Sequence, residues 1–270
     1  LIFSGNLFKY DLLFKASAGF VTFSLVASVI YILNDIRDLE NDRLHTDKRN
    51  RPLASGAVSV KNALKLIGFL SVVAVGLTTA VLNHPLIWTF LIIYVLINLA
   101  YSFGLKNVSL VDITIIVAGY MLRVAFGGVI IGVSISSWMY LTVMAMSFYL
   151  AFGKRRNEMQ KNGNTARIVL QHYSVQFLDK MMYISLGLTV MFYSMWCVTP
   201  NELLKSERLI WTVPLVLLIC MRYSMNVEGD SNGDPAEVLF GDKILLLLAG
   251  LYGILLMALF YGSRLLLALI

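Results

Sequence analysis

Leu86-Ile-Trp-Thr-Phe-Leu-Ile-Ile-Tyr-Val-Leu-Ile-Asn-Leu-Ala-Tyr-Ser-Phe-Gly104 runs for 19 residues without a charged side chain. A helix crossing the roughly 30 Å of bilayer hydrocarbon needs about 20 such residues. In lipid only a helix or a closed barrel satisfies every backbone N–H and C=O. Comparable apolar runs at 16–34, 61–82, 112–133, 137–153, 181–199, 208–226 and 243–264 bring the predicted spans, with 86–104, to eight. The whole chain agrees: 58% of its 270 residues are hydrophobic and 14% charged, with mean hydropathy +0.75. A soluble domain has roughly 45–50% apolar and about 25% charged residues. A soluble enzyme, a disordered regulator and a disulfide-stapled secreted domain are therefore excluded. The predicted class is all-α, a polytopic transmembrane helix bundle with residues 1–270 as one domain, since no low-complexity or Pro/Gly-rich linker divides them. The first residues, Leu1-Ile-Phe-Ser-Gly-Asn6, carry no signal-peptide pattern, and a ninth, N-terminal span is expected upstream of them.

Charge orients the predicted bundle. If the connection after the first span is cytoplasmic and the chain alternates sides, the cytoplasmic connections hold Arg37, Arg43, Lys48, Arg49, Arg51, Lys106, Lys154, Arg155, Arg156 and further cations as far as Lys243. The opposite connections hold Lys205 and Arg208 beside Glu202 and Glu207. That asymmetry is the positive-inside bias, and it accounts for the net charge of +6 without nucleic acid. The acids gather on the same face, among them Asp35, Asp38, Asp42, Asp47, Glu158, Asp179, Asp230, Asp234 and Asp242. Both signs of charge on one face point to a polyanion bridged by metal. Cys197 and Cys220 lie in apolar runs and receive no redox role. His45, His84 and His172 have no zinc-ligand spacing.

The densest signal is Asn34-Asp-Ile-Arg-Asp-Leu-Glu-Asn-Asp42. Asp35, Asp38 and Asp42 stand at i, i+3 and i+7, within roughly 60° of one helix face. Carboxylates on one stripe repel unless a cation joins them, and hard oxygen ligands select Mg²⁺, which shares its shell with substrate phosphates. Asn34 adds a neutral oxygen. The bland alternative is an acidic, solvated helix end. The basic segment that follows, His45-Thr-Asp-Lys-Arg-Asn-Arg-Pro52, reads equally as a phosphate-binding loop or as a purely topogenic one.

Asn34-Asp35-x-x-Asp38-x-x-x-Asp42, followed by Lys48-Arg-x-Arg-Pro52 and Ala54-Ser-Gly56, resembles the UbiA superfamily of intramembrane prenyltransferases. That resemblance implies a nine-helix bundle whose acidic motif binds pyrophosphate through Mg²⁺. Further fragments follow the order of its decaprenyl-phosphate phosphoribosyltransferase group: Tyr101 to Lys106, Asp112, Leu122-Arg123, Gly153-Lys-Arg155 with Glu158, Tyr173 to Asp179, Arg222-Tyr223 and Asp242. Similarity to that group implies transfer of a 5-phosphoribosyl group from 5-phosphoribosyl 1-pyrophosphate to a polyprenyl phosphate, at the cytoplasmic face of a prokaryotic plasma membrane. The rival within the superfamily moves a prenyl group from its diphosphate to an aromatic acceptor. Those enzymes carry a second Asp-x-x-x-Asp motif where this chain has Gly153-Lys-Arg-Arg-Asn-Glu158.

The implied roles are Asp35, Asp38 and Asp42 as catalytic metal ligands assisted by Asn34, with Lys48, Arg49, Arg51, Lys106, Lys154 and Arg155 on phosphates. Tyr101 and Glu158 are expected on ribose hydroxyls, and Asp112 and Asp179 beside neighbouring cations. Arg123 lies roughly 16 Å into its span, where a charge is expensive. It reads either as a headgroup contact or as a structural arginine bonded to carbonyls freed near Gly127-Gly128. Residues 229–235 read as a turn, a candidate lid.

Overall fold

At several connections a side chain prepares the next helix by taking up a free backbone N–H. Ser59 Oγ accepts from Asn62 N at 3.3 Å, His84 Nδ1 from Leu86 N at 3.3 Å, and Ser174 Oγ from Phe177 N at 3.1 Å. Pro85, Pro214 and Pro235 sit in first turns, where no donor is lost. The computed structural model describes residues 1–44, 48–162, 167–199, 207–229 and 234–268. Its helices are α1 Tyr10–Arg37, α2 Leu39–Leu44, α3 Val60–Leu77, α4 Pro85–Ser102, α5 Val111–Ile131, α6 Ser137–Asn162, α7 Val175–Val198, α8 Val213–Glu228, α9 Pro235–Gly241 and α10 Lys243–Ala268.

The expectation of an all-helical membrane bundle holds, with one correction to the span count. All eight predicted segments are helical, but among the described residues seven helices are long and apolar enough to cross a bilayer. The segment 137–153 falls short. Ser137, Tyr140, Thr142, Ser147 and Tyr149 dilute its apolar residues, and α6 continues as a polar helix through Lys154-Arg-Arg-Asn-Glu158.

The chain, read from its sequence as one domain, gathers into two compact units. In the first, residues 8–104 and 122–133, α1 packs along α3 and α4 around Ala18, Phe23, Ile30, Ile87, Leu91, Tyr94, Phe126 and Ile130. In the second, residues 1–7, 105–121 and 134–270, α6 lies along α7. Its core includes Ile113, Val117, Tyr149, Phe152, Leu178, Met182, Val227 and Leu245.

Lipid tails are as apolar as leucine, so membrane helices associate through close packing, and small residues at contacts permit it. Gly19 is such a residue: a Cβ there would stand 2.1 Å from Ile130 Cδ1 and 3.5 Å from Phe126. Gly19→Val is expected to cost about 1–3 kcal/mol through overpacking. Gly19→Ala costs less, because the tip of Ile130 can turn aside. Thermal unfolding of the two variants in detergent checks the order.

Candidate functional site

The acidic motif straddles a helix break. α1 ends at Arg37, Asp38 caps it with its N–H on Asn34 O at 2.8 Å, and Asp42 N in turn reaches Asp38 O at 2.8 Å. The i to i+4 register survives the break, so Asp35 and Asp42 come to one place. Arg51 Nη1 lies 2.8 Å from both Asp35 Oδ1 and Asp42 Oδ2. Asp42 is 4% exposed while Arg51 remains open to solvent. The Asn34 side-chain oxygen accepts a hydrogen bond from Ser102 at the end of α4, which ties the motif to the neighbouring helix.

Spacing alone put three carboxylates on one ion. Among the described residues no three His, Cys, Asp or Glu side chains stand close enough for that. Two carboxylates gathered on one cationic nitrogen still suit Mg²⁺, which is usually bound through one or two carboxylates and completes its shell with water and phosphate oxygens.

Arg51 is aimed by the turn that follows it. Leu53 is buried, Gly56 takes φ 79° and returns its N–H to Leu53 O, and Val58 N reaches Pro52 O at 2.9 Å. Lys48 and Arg49 lie on the turn Lys48–Asn50, with Arg49 exposed. His45 and Asp47 lie outside the described residues, as do Glu202, Lys205 and residues 230–233 of the expected lid, Asp230 included. Tyr101 is half-buried in the last turn of α4.

Arg123 has a protein partner inside the same unit. Its Nη2 donates to Tyr94 Oη at 3.1 Å, and its guanidinium stands 5.4 Å from the ring centroids of both Phe23 and Tyr94. A cation beside aromatic rings gains roughly 0.5–2 kcal/mol, which offsets part of the cost of a charge within a span.

The second unit holds a chain of charge pairs. Arg155, 1% exposed, donates from Nε to Asp112 Oδ2 and from Nη1 to Glu158 Oε2, each at 2.8 Å. Arg167 closes on Glu158 at 3.1 Å. Tyr173 Oη donates to Asp112 Oδ1 at 2.8 Å, and burial pushes its phenol up to about 12, so it keeps the proton it donates. Arg156 pairs with Asp179 at 2.5 Å and Lys154 with Asp234 at 3.6 Å. Asp112 and Asp179 thus stand beside cations. Glu158, expected on ribose, is engaged with two arginines. Lys106 is half-buried on the turn Leu105–Asn107. A cavity of about 460 Å³ opens beside this network, lined by Ser109, Leu110, Gln171, His172, Tyr173, Ser174 and Phe177.

Sequence reasoning gave no role to Tyr94, Ser102, Arg167, Tyr173, Asn226 or the Arg222–Asp242 pair. Tyr173, Arg222 and Asp242 stood in the quoted fragments, but nothing in their spacing said which partner each would meet. Asp242 accepts from Arg222 Nε and Asn226 Nδ2, both at 2.6 Å, and from the backbone N–H groups of Ile244 and Leu245 that open α10. Asn226 and Arg222 hold its carboxyl well below the usual carboxylate range. A depressed native pKa stabilises the fold above the ordinary value near pH 4 and loses that contribution as pH falls toward the native one. Wild-type melting temperature in detergent is therefore expected to fall more steeply below about pH 4 than that of Asp242→Asn.

Residues 2–244 match the UbiA prenyltransferase family, and the chain belongs to it. It is an integral membrane protein of a transferase family. Over 258 residues it is 33% identical to the decaprenyl-phosphate phosphoribosyltransferase of Mycolicibacterium smegmatis, covering 91% of this chain and 80% of that one. The enzyme of the same name from Corynebacterium glutamicum is 31% identical over 250 residues, covering 90% and 75%. The fold is shared with a UbiA homolog from Archaeoglobus fulgidus solved with GPP and Mg²⁺, at TM-score 0.68 and 16% identity over 91% of this chain and 87% of that one.

Proposed function

We propose that the protein transfers the 5-phosphoribosyl group of 5-phosphoribosyl 1-pyrophosphate to a decaprenyl-type polyprenyl phosphate. The products are polyprenyl-phosphoryl-5-phosphoribose and pyrophosphate, formed at the cytoplasmic face of a prokaryotic plasma membrane. The observation that carries this reading is the pair Asp35 and Asp42 converging on one cationic nitrogen, in a chain whose relatives over most of its length are named for this transfer. Asp35 and Asp42 would hold Mg²⁺, with Asp38 beside them. The ion supplies charge neutralisation for the departing pyrophosphate.

The protein's own part is positioning and electrostatics. The acceptor phosphate is already a nucleophile at neutral pH, so no general base is needed. Its oxygen bonds to the anomeric carbon as the bond from that carbon to the pyrophosphate oxygen breaks, with inversion. Arg51 can exchange its carboxylates for phosphate oxygens, to which a guanidinium offers two parallel donors. Lys48, Arg49, Lys106 and Lys154 add charge for the remaining phosphates. Arg155, held by two acids, keeps Asp112 and Glu158 in place, with Asp179 doing the same for Arg156. Tyr101 faces the ribose hydroxyls, and Arg123 meets the acceptor headgroup.

Membranes containing the protein, given labelled 5-phosphoribosyl 1-pyrophosphate and polyprenyl phosphate, are expected to move label into the organic-extractable lipid. EDTA abolishes the transfer and added Mg²⁺ restores it. Label that stays in water, while a prenyl diphosphate and an aromatic acid react, overturns the reading in favour of aromatic prenylation.

A further inference from the structure

Leu110, which is not a glycine, takes positive φ, at 65°. In that left-handed region a Cβ crowds the backbone. Leu110 stands immediately before α5, and its carbonyl already accepts Thr114 N at 2.9 Å, so the turn cannot relax without disturbing the helix start. Its own N–H meets Tyr173 Oη at 2.5 Å. The same hydroxyl donates to Asp112 Oδ1, two residues further on. It is thus fixed from both sides, and its ring is buried and stacked on Phe177 with centroids 6.0 Å apart.

The connection before Leu110 is continuous with this tether. Val108 N returns to Leu105 O and Asp112 N to Val108 O, both at 3.1 Å. The turn Leu105–Asn107, which carries Lys106, packs against the turn Ile168–His172 that leads into Tyr173.

We propose that Tyr173 is a positioning residue whose hydroxyl locks the left-handed turn at Leu110 and thereby sets where the 105–110 connection presents Lys106 to substrate phosphate. The role of Lys106 rests on the function proposed above; the tether itself does not.

Tyr173→Phe keeps the stacked ring and removes both hydrogen bonds. In the full chain in lipid nanodiscs, hydrogen exchange over residues 105–112 is expected to quicken about tenfold, the loss of one buried hydrogen bond, while α1 to α4 keep their rates. In the transfer assay the KM for 5-phosphoribosyl 1-pyrophosphate is expected to rise about tenfold, with kcat within about threefold of wild type. Glycine adopts the left-handed backbone without support. Leu110→Gly added to Tyr173→Phe is therefore expected to recover most of the KM, although it restores nothing to Asp112. Unchanged exchange over 105–112 in Tyr173→Phe overturns the proposal whatever the substrate is. Faster exchange with an unaltered KM overturns it as well, as does a KM that Leu110→Gly leaves raised, which would assign the tyrosine's effect to Asp112. A wild-type protein that transfers no phosphoribosyl group overturns the functional reading instead, and the exchange comparison still decides the tether.

Discussion

Asp35→Asn and Asp42→Asn, made singly, are each expected to lower the proposed phosphoribosyl transfer about 10²–10³-fold, the usual cost of losing one preorganised electrostatic group. Each change removes half of a pair that meets at one cationic position, so neither can be compensated by the other. Asp42 is nearly buried, and its asparagine variant must be shown to melt like wild type before its kinetics are read. Arg51→Gln separates two roles of the same position. With the competing guanidinium gone, Mg²⁺ or Mn²⁺ alone is expected to bind more tightly, while the KM for the donor rises. Calorimetric titration of the free protein and steady-state kinetics measure the two effects. Equal metal affinity in wild type and Arg51→Gln would remove the acid pair from consideration as a cation site.

Arg155→Met or Asp112→Leu alone is expected to destabilise the protein by about 3–5 kcal/mol. Each strips a buried charge of one ion-pair partner, leaving Arg155 with Glu158 or Asp112 with the Tyr173 hydroxyl. The two partners are 1% and 0% exposed and share a hydrogen bond of 2.8 Å. The double variant Arg155→Met/Asp112→Leu is expected to melt above at least one of the singles, since a well-filled apolar pair can replace a buried ion pair. Melting temperature and monodisperse yield in detergent measure this without any assay. Additive losses in the double variant would mean the pair is not coupled.

Hydropathy made the membrane class legible because the bilayer allows few other solutions for long apolar runs. The segment 137–153 is helical but less apolar than the seven spans, because Ser, Thr and Tyr in α6 lower its average. The acidic motif was legible because its spacing is local. Two of the three acids meet as the helical period predicts, but the break at Asp38 could not be read from an i, i+3, i+7 pattern. Pairings across long loops were illegible for a physical reason. Arg155 had Asp112, Glu158 and several other acids within reach of a plausible fold, and only packing of α5 against α6 and α7 selects among them. The same holds for Arg123, whose partner Tyr94 is one of many aromatics in the spans.

The short helix α2 has a consequence for turnover. Six residues make too little helix to persist in water unaided, so the half of the acid pair that rides on it is held by its burial and by Arg51. A Mg²⁺ held by Asp35 and Asp42 would displace Arg51, and a phosphate bound beside it would give that guanidinium a new partner. Under the proposed reaction the pocket grips the complex more firmly than either component. Once the sugar is transferred, loss of pyrophosphate would return Arg51 to its two carboxylates.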